Sequence, residues 1–231
     1  MKQAVLLAGG QGTRLASVSG GLPKPLVDVG GRPFIEYILD ELLSAGCERV
    51  VVTASFKWEL LRAHLGTAYK GCRLDWSIEQ QPLGTGGAIR RAFDSFDLAS
   101  AFVLNADTLF RVDLTDMAAR HDACAAAVTI ALREAADVAR YGEVIVDETG
   151  RITRFSEKGR SGRGLINGGI YLIDGRIWSR VPERGPFSFE RDCLQRCVEV
   201  EKFYGYQAAG YFIDIGVPHD LQRARHSLGG T

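Results

Sequence analysis

The sequence predicts an α/β protein in which a mostly parallel sheet lies between layers of helices. Three observations lead there. Short apolar runs bounded by glycine alternate with helix-period segments through the first half of the chain. Those runs are continuously apolar, as in strands covered on both faces. Finally, no linker, repeat or low-complexity stretch divides the 231 residues, 46% of which are hydrophobic. One domain over residues 1–231 is therefore expected, with an N-terminal half of about 1–110 and a C-terminal half of about 111–231 that completes the sheet and covers the site.

Taken in order, "QAVLLA" is a buried strand. "PFIEYILDELLSAG" puts Phe34, Ile35, Ile38, Leu39, Leu42 and Leu43 on one helical face, between Pro33 at its start and Gly46 at its end. "ERVVVTA" is strand, "KWELLRAHL" helix, "RLDWSIE" strand, "GTGGAIRRAFDSF" helix and "AFVLNAD" strand. The second half is more mixed. "CAAAVTIAL" reads as strand, "GEVIVDETGRITRFSEK" as a hairpin turning at Glu148, Thr149 and Gly150, and "LINGGIYLID" as strand. "FERDCLQRCV" is a short helix, and "GYFIDIG" a late strand before a terminal helix from about Pro218.

Charge and cysteine usage exclude several classes. Lys plus Arg and Asp plus Glu both number 28, so there is no electrostatic case for a nucleic-acid or membrane-surface partner. Cys47, Cys72, Cys124, Cys193 and Cys197 contain no CxxC pair and are expected as reduced core thiols. Cys193 and Cys197 would share a helix face and pack there. The apolar run "AVLLA" is too short for a signal-peptide core, and no stretch approaches the roughly 20 apolar residues of a membrane span, so a cytoplasmic protein is expected. His64, His121, His219 and His226 have no partner at a telling spacing and are expected in surface or capping roles. Whether copies associate into a homo-oligomer is left open.

Sheets of this kind bind ligands beyond the carboxyl ends of their strands. The first such place is "LLAGGQGTRL", residues 6–15, where Gly9, Gly10 and Gly12 free the backbone to turn tightly and turn N–H groups toward an anion. A bare turn, a dinucleotide site and a triphosphate cradle all fit the loop alone. The dinucleotide fingerprint fails, because Leu15 stands where its third glycine belongs and no helical period follows. No GK[ST] follows either, so it is not a P-loop. Arg14 just after the loop and Lys24, stiffened between Pro23 and Pro25, supply cations suited to a polyphosphate.

"LAGGQGTRL" followed by "PKPLVDVGGRPFIEY" resembles the signature of the sugar-1-phosphate nucleotidylyltransferases, and later segments fall in that family's order. The resemblance implies a Rossmann-like three-layer nucleotidyltransferase fold with a mostly parallel central mixed sheet. It implies nucleotide contacts from Leu7, Ala8, Gly9, Gly10, Gly12 and Thr13, and from Gln80, Gly84 and Thr85 in "EQQPLGTGGAI", where Thr85 also reads as a helix cap. Asp107 in "VLNAD" and Asp214 in "YFIDIGVP" are the implied Mg²⁺ ligands, although Ala106 stands where the family often has glycine. Gly142 in "RYGEV", Glu157 and Lys158 in "FSEK", and Asn167 in "LINGGIY" are the implied sugar-phosphate contacts.

The implied reaction is attack by a sugar 1-phosphate oxygen on the α-phosphorus of a nucleoside triphosphate, with loss of pyrophosphate. Arg14 would hold the pyrophosphate, Lys24 the α-phosphate and Lys158 the sugar phosphate. "LASVSGGLPKPL", "FSFERD" and "YFIDIGVPHD" are most like the bacterial branch that uses GTP and D-glycero-α-D-manno-heptose 1-phosphate. Mannose 1-phosphate with GTP, and N-acetylmuramate 1-phosphate with UTP, are the alternatives within the same chemistry. A non-catalytic nucleotide-sugar sensor would be free to lose Arg14, Lys24, Asp107, Lys158 and Asp214, which are all present. A nicotinamide enzyme is disfavoured, because "VVVTASF" ends without the acid that such a site needs.

Overall fold

The computed structural model describes residues 2–10, 20–156, 159, 161–181 and 185–229. In chain order the elements begin with β1 (Gln3–Leu7), β2 (Asp28–Val29), β3 (Arg32–Pro33), α1 (Phe34–Ser44), β4 (Arg49–Ala54), α2 (Trp58–Leu65), β5 (Ala68–Tyr69) and β6 (Cys72–Ile78). Next come α3 (Gly84–Phe96), β7 (Ser100–Asn105), β8 (Thr108–Phe110), α4 (Leu114–Ala123), β9 (Val128–Ala135), β10 (Val144–Val146), β11 (Ile152–Phe155) and β12 (Gly164–Asp174). A 3₁₀ segment (Gly175–Arg180), a π-helical segment (Phe189–Leu194), α5 (Gln195–Cys197), β13 (Phe203–Gln207), β14 (Phe212–Asp214) and α6 (Pro218–Leu228) complete the order.

Eight strands form one mixed sheet in the order β13-β9-β12-β7-β1-β4-β6-β5. Only β12 and β5 run against the rest. The strands of both halves of the chain thus share one sheet. Neighbouring residues of a strand face opposite sides, and two cores follow from that alternation. Ala4, Leu6, Val50, Val52, Phe102 and Leu104 pack with α1, α2, α4 and α6, whereas Val5, Val51, Ala101 and Val103 pack with α3 and the 187–198 region. The helices therefore form a layer on each face, as the apolar runs predict.

Three elements differ from expectation. Cys124 caps α4, and Ala125 takes a left-handed φ of 47°, so the strand begins only at Val128. "GYFIDIG" joins no main-sheet strand; β14 pairs with β8 in a separate antiparallel ribbon. The edge strand β13, "FYGYQ", was not expected from its sequence, because its apolar pattern is short and broken by Gly205. His121 is also a correction: it is buried, its Nδ1 2.8 Å from Thr129 Oγ1, rather than at the surface. All five cysteines are free, and four are buried.

Candidate functional site

Beside β1 the chain connections diverge: β4 lies on one side and β7 on the other, both parallel to β1. This is a topological switch point, where the carboxyl ends of parallel strands leave a crevice. A cleft of about 330 Å³ opens there, bordered by Leu7, Gly9, Thr53, Glu79, Asn105 and other residues at these strand ends. Ala8, Gly10, Lys24, Gly84, Thr85 and Asp107 line it too, which brings most of the described nucleotide and catalytic candidates to one place. Gly12, Thr13, Arg14, Glu157 and Lys158 lie outside the described residues.

The glycine loop begins where β1 ends. Ser55 Oγ donates to the Gly9 carbonyl at 2.7 Å, and a Cβ on Gly9 would come within 3.2 Å of both Ser55 Oγ and Glu79 Oε1. A side chain there would be crowded and would have to push the Ser55 and Glu79 side chains aside. Lys24 is fixed from its own flanks. Pro23 and Pro25 bracket it, a 3₁₀ turn spans Lys24–Leu26, and Pro25 and Leu26 are buried. Its Nζ is thereby carried to 3.0 Å from Asp107 Oδ2.

Asp107 follows β7, where Ala106 N–H donates to the Leu7 carbonyl at 3.1 Å and Ile215 N–H to the Asp107 carbonyl at 2.9 Å. Ala106 is buried and has no positive φ, so this turn does not require glycine. The β8–β14 ribbon sets Asp214 opposite Thr108, bringing the two acids together from positions far apart in sequence. Burial, and after it the Asp107 charge, raise the Asp214 carboxyl above its ordinary range. Arg140 opposes that shift, with Nη2 3.2 Å from Asp214 Oδ2 and Nη1 2.5 Å from Asp220 Oδ2. Two neighbouring carboxylates, each already drawing a cation, offer the hard oxygen donors that a divalent ion takes.

Several placements depart from the sequence reading. Gln80 is exposed and does not border the cleft; Glu79, one residue earlier, is buried there. Its Oε2 accepts from Leu83 N–H at 2.9 Å, and burial raises its carboxyl. Thr85 does not cap its helix: α3 starts after Leu83 without a side-chain cap, and Thr85 Oγ1 accepts from Phe189 N–H at 2.9 Å. Gly142 and Asn167 lie outside the cleft lining. Gly142 makes a turn at φ 82°, and Asn167 donates at 2.8 Å to Tyr171 Oη. Sequence reasoning missed Glu79, Ser55 and Arg140. The last lies two residues before the glycine singled out in "RYGEV", but its acidic partners stand 74 and 80 residues away in sequence.

With this geometry in view, the relatives are informative. The chain matches the nucleotidyl transferase family over residues 3–229. It is 40% identical to the D-glycero-α-D-manno-heptose 1-phosphate guanylyltransferase of Aneurinibacillus thermoaerophilus over 98% of both chains. To the enzyme of that name from Campylobacter jejuni it is 38% identical, over 94% of this chain and 96% of the other. The crystal structure of HddC from Yersinia pseudotuberculosis complexed with GMP-PN superposes with a TM-score of 0.87 at 35% identity, covering 99% of this chain and 100% of that one.

Proposed function

We infer the function from the premise that the chain belongs to the nucleotidyl transferase family: it joins GTP to D-glycero-α-D-manno-heptose 1-phosphate, forming GDP-heptose and releasing pyrophosphate. The observation that carries this reading is the meeting of the Gly9–Gly10 backbone, Glu79, Lys24 and Asp107 in one cleft at the switch point. The heptose 1-phosphate guanylyltransferases similar along nearly the whole chain support the choice of sugar and base. Residence in the cytoplasm belongs to the same proposal. It is supported by the free thiols, and no described helix is long and apolar enough to cross a membrane.

A phosphate monoester is already ionised near neutrality, so the sugar phosphate needs no general base. One of its oxygens attacks the α-phosphorus of GTP; that P–O bond forms while the bond to the β-phosphate bridging oxygen breaks and pyrophosphate takes the electron pair. What the chain must supply is alignment and charge. Lys24 stabilises the α-phosphate as charge builds in the transition state, and the Gly9–Gly10 backbone admits the nucleotide close to β1. Arg14 holds the departing pyrophosphate and Lys158 the sugar phosphate. Asp107 and Asp214 would hold a Mg²⁺ ion, which when bound neutralises triphosphate charge.

Base choice follows from Glu79. A carboxylate only accepts hydrogen bonds, and guanine presents adjacent N1–H and N2–H₂ donors that adenine lacks. Glu79 Oε1, on the Gly9 side of the cleft, would accept from that edge, while Leu83 N–H fixes the other oxygen. A panel of GTP, UTP, ATP and dTTP against heptose, mannose and N-acetylmuramate 1-phosphates, read by pyrophosphate release, tests the reading. GTP with heptose 1-phosphate should have the highest kcat/KM; a preference for UTP or for another sugar would overturn it.

A further inference from the structure

Resting on that functional reading, we propose that Glu190 is a specificity-determining residue that accepts a hydrogen bond from one hydroxyl of the sugar ring. The geometry ties Glu190 to the cleft through its own segment and to Asn167, the implied sugar-phosphate contact, through its side chain. On one side, Phe189 N–H is held by Thr85 Oγ1 of the cleft at 2.9 Å, and the preceding Phe187 exchanges backbone hydrogen bonds with Leu83 and Gly86, at 2.9 and 3.0 Å. On the other, Glu190 Oε1 lies 3.3 Å from Asn167 Nδ2 and 3.4 Å from Tyr171 Oη. The irregular stretch of β12 that carries Asn167 lies against the cleft in its own right: a Cβ on Gly169 would stand 2.9 Å from Asn105 Nδ2.

The rest of the cluster is built and rigid. Tyr171 is buried, edge-on to the buried Phe189 with ring centroids 5.3 Å apart, and its hydroxyl receives Asn167 Nδ2 at 2.8 Å. Asn167 Oδ1 is taken by Gly169 N–H at 2.9 Å, so neither Asn167 nor Tyr171 can turn away without breaking a bond. Glu190 alone is exposed. Among the described residues it has no ion-pair partner, its Oε2 accepts nothing, and the two bonds to Oε1 are long for a carboxylate. Near a site for anionic substrates, an exposed carboxylate with open acceptor positions is suited to neutral donors and unsuited to phosphate. Sugar hydroxyls are such donors. The carboxylate lies in the Asn167–Tyr171 cluster, apart from the Lys24–Asp107 pair where phosphate charge would gather. The segment bearing Glu190, Phe189–Leu194, is π-helical, a form that recurs at functional sites.

The test compares the wild-type chain with E190Q and E190D, using saturating GTP and either heptose 1-phosphate or its monodeoxy analogues, each lacking one ring hydroxyl. Removing the hydroxyl that Glu190 reads should cost the wild type about 10- to 100-fold in kcat/KM, the worth of a hydrogen bond to a charged group. In both variants that dependence should shrink to about threefold or less, with the other positions unchanged and the KM for GTP within about twofold of wild type. Either variant suffices should the other fail to fold. Identical deoxy profiles in wild type and variants would overturn the proposal, as would a loss spread equally over every analogue, which is the signature of a purely structural residue. A wild-type chain that turns over no sugar 1-phosphate would instead overturn the functional reading itself, and this inference with it.

Discussion

Lys24 Nζ and Asp107 Oδ2 stand 3.0 Å apart across 83 residues of sequence, at the mouth of the β1–β7 crevice. The pair joins a lysine set by two prolines to an acid set by a strand end. The Lys24 side chain is 17% exposed, whereas that of Asp107 is 35% exposed. Such a pair contributes at most about 1 kcal/mol to stability. Its placement is therefore better explained by chemistry than by folding. Lys24→Ala should lower kcat by about a hundredfold or more, as expected for loss of a preorganised cation at developing charge. The melting temperature should fall by only a few degrees, following the small worth of the pair. Near-normal turnover would contradict the role given to Lys24.

Glu79 separates function from stability. Burial holds its carboxyl above the ordinary range, so the folded chain keeps this proton to a higher pH than the unfolded chain does. That advantage is complete at acid pH and is lost as pH rises through the raised value. Glu79→Gln removes the dependence and keeps an oxygen for Leu83 N–H. Denaturant midpoints at about pH 5 and pH 8 should show the variant equal to or more stable than wild type at the higher pH, with the gap narrowing at the lower. The kcat/KM for GTP should fall at least about tenfold. A variant that loses stability but keeps its GTP preference would contradict the base-reading role.

The acid pair predicts a requirement for a divalent ion. Turnover should vanish with EDTA and return with Mg²⁺. Asp214→Asn should weaken the apparent affinity for Mg²⁺ about tenfold or more, within the range seen on altering a metal's surroundings. Titration of Mn²⁺ followed by electron paramagnetic resonance reads this without turnover; unchanged Mn²⁺ binding in the variant would remove Asp214 from the metal site.

Gly84 tests how the nucleotide loop is held. Its φ is +68°, and a Cβ there would stand 2.5 Å from the Phe187 carbonyl oxygen. Gly84→Ala should cost about 1–3 kcal/mol from the left-handed backbone alone, and the overlap adds to it. Thermal denaturation should show a drop of several degrees; an unchanged midpoint would mean that the 83–87 and 187–189 segments are not strapped together.

Residues of charged or conformationally extreme type at strand ends were legible in the sequence. Gly9 and Asp107 follow the parallel strands β1 and β7, a position that a parallel sheet delivers to its carboxyl edge, whereas Lys24 stood out through its flanking prolines and Asp214, on the separate β8–β14 ribbon, only through the family resemblance. Glu79 was missed by one residue, for a reason the structure makes plain. Along β6 the buried positions are Cys72 and Leu74 and then Ser77, followed by Glu79 just past the strand, so the alternation changes parity within the strand. No reading of strict period two assigns both ends. Thr85 resembled a cap because local sequence cannot display a partner 104 residues away. Arg140 was hidden in the same way: its partners Asp214 and Asp220 lie on β14 and α6 and meet it only in the folded chain.

The most direct measurement incubates the purified wild-type chain with GTP, D-glycero-α-D-manno-heptose 1-phosphate and Mg²⁺ and follows the mixture by ³¹P nuclear magnetic resonance. The expected result is the paired diphosphate resonances of GDP-heptose growing together with an equal amount of pyrophosphate as the sugar monophosphate signal declines. A sugar phosphate signal that persists beside intact GTP, or GTP consumed without a sugar diphosphate, would contradict the assignment.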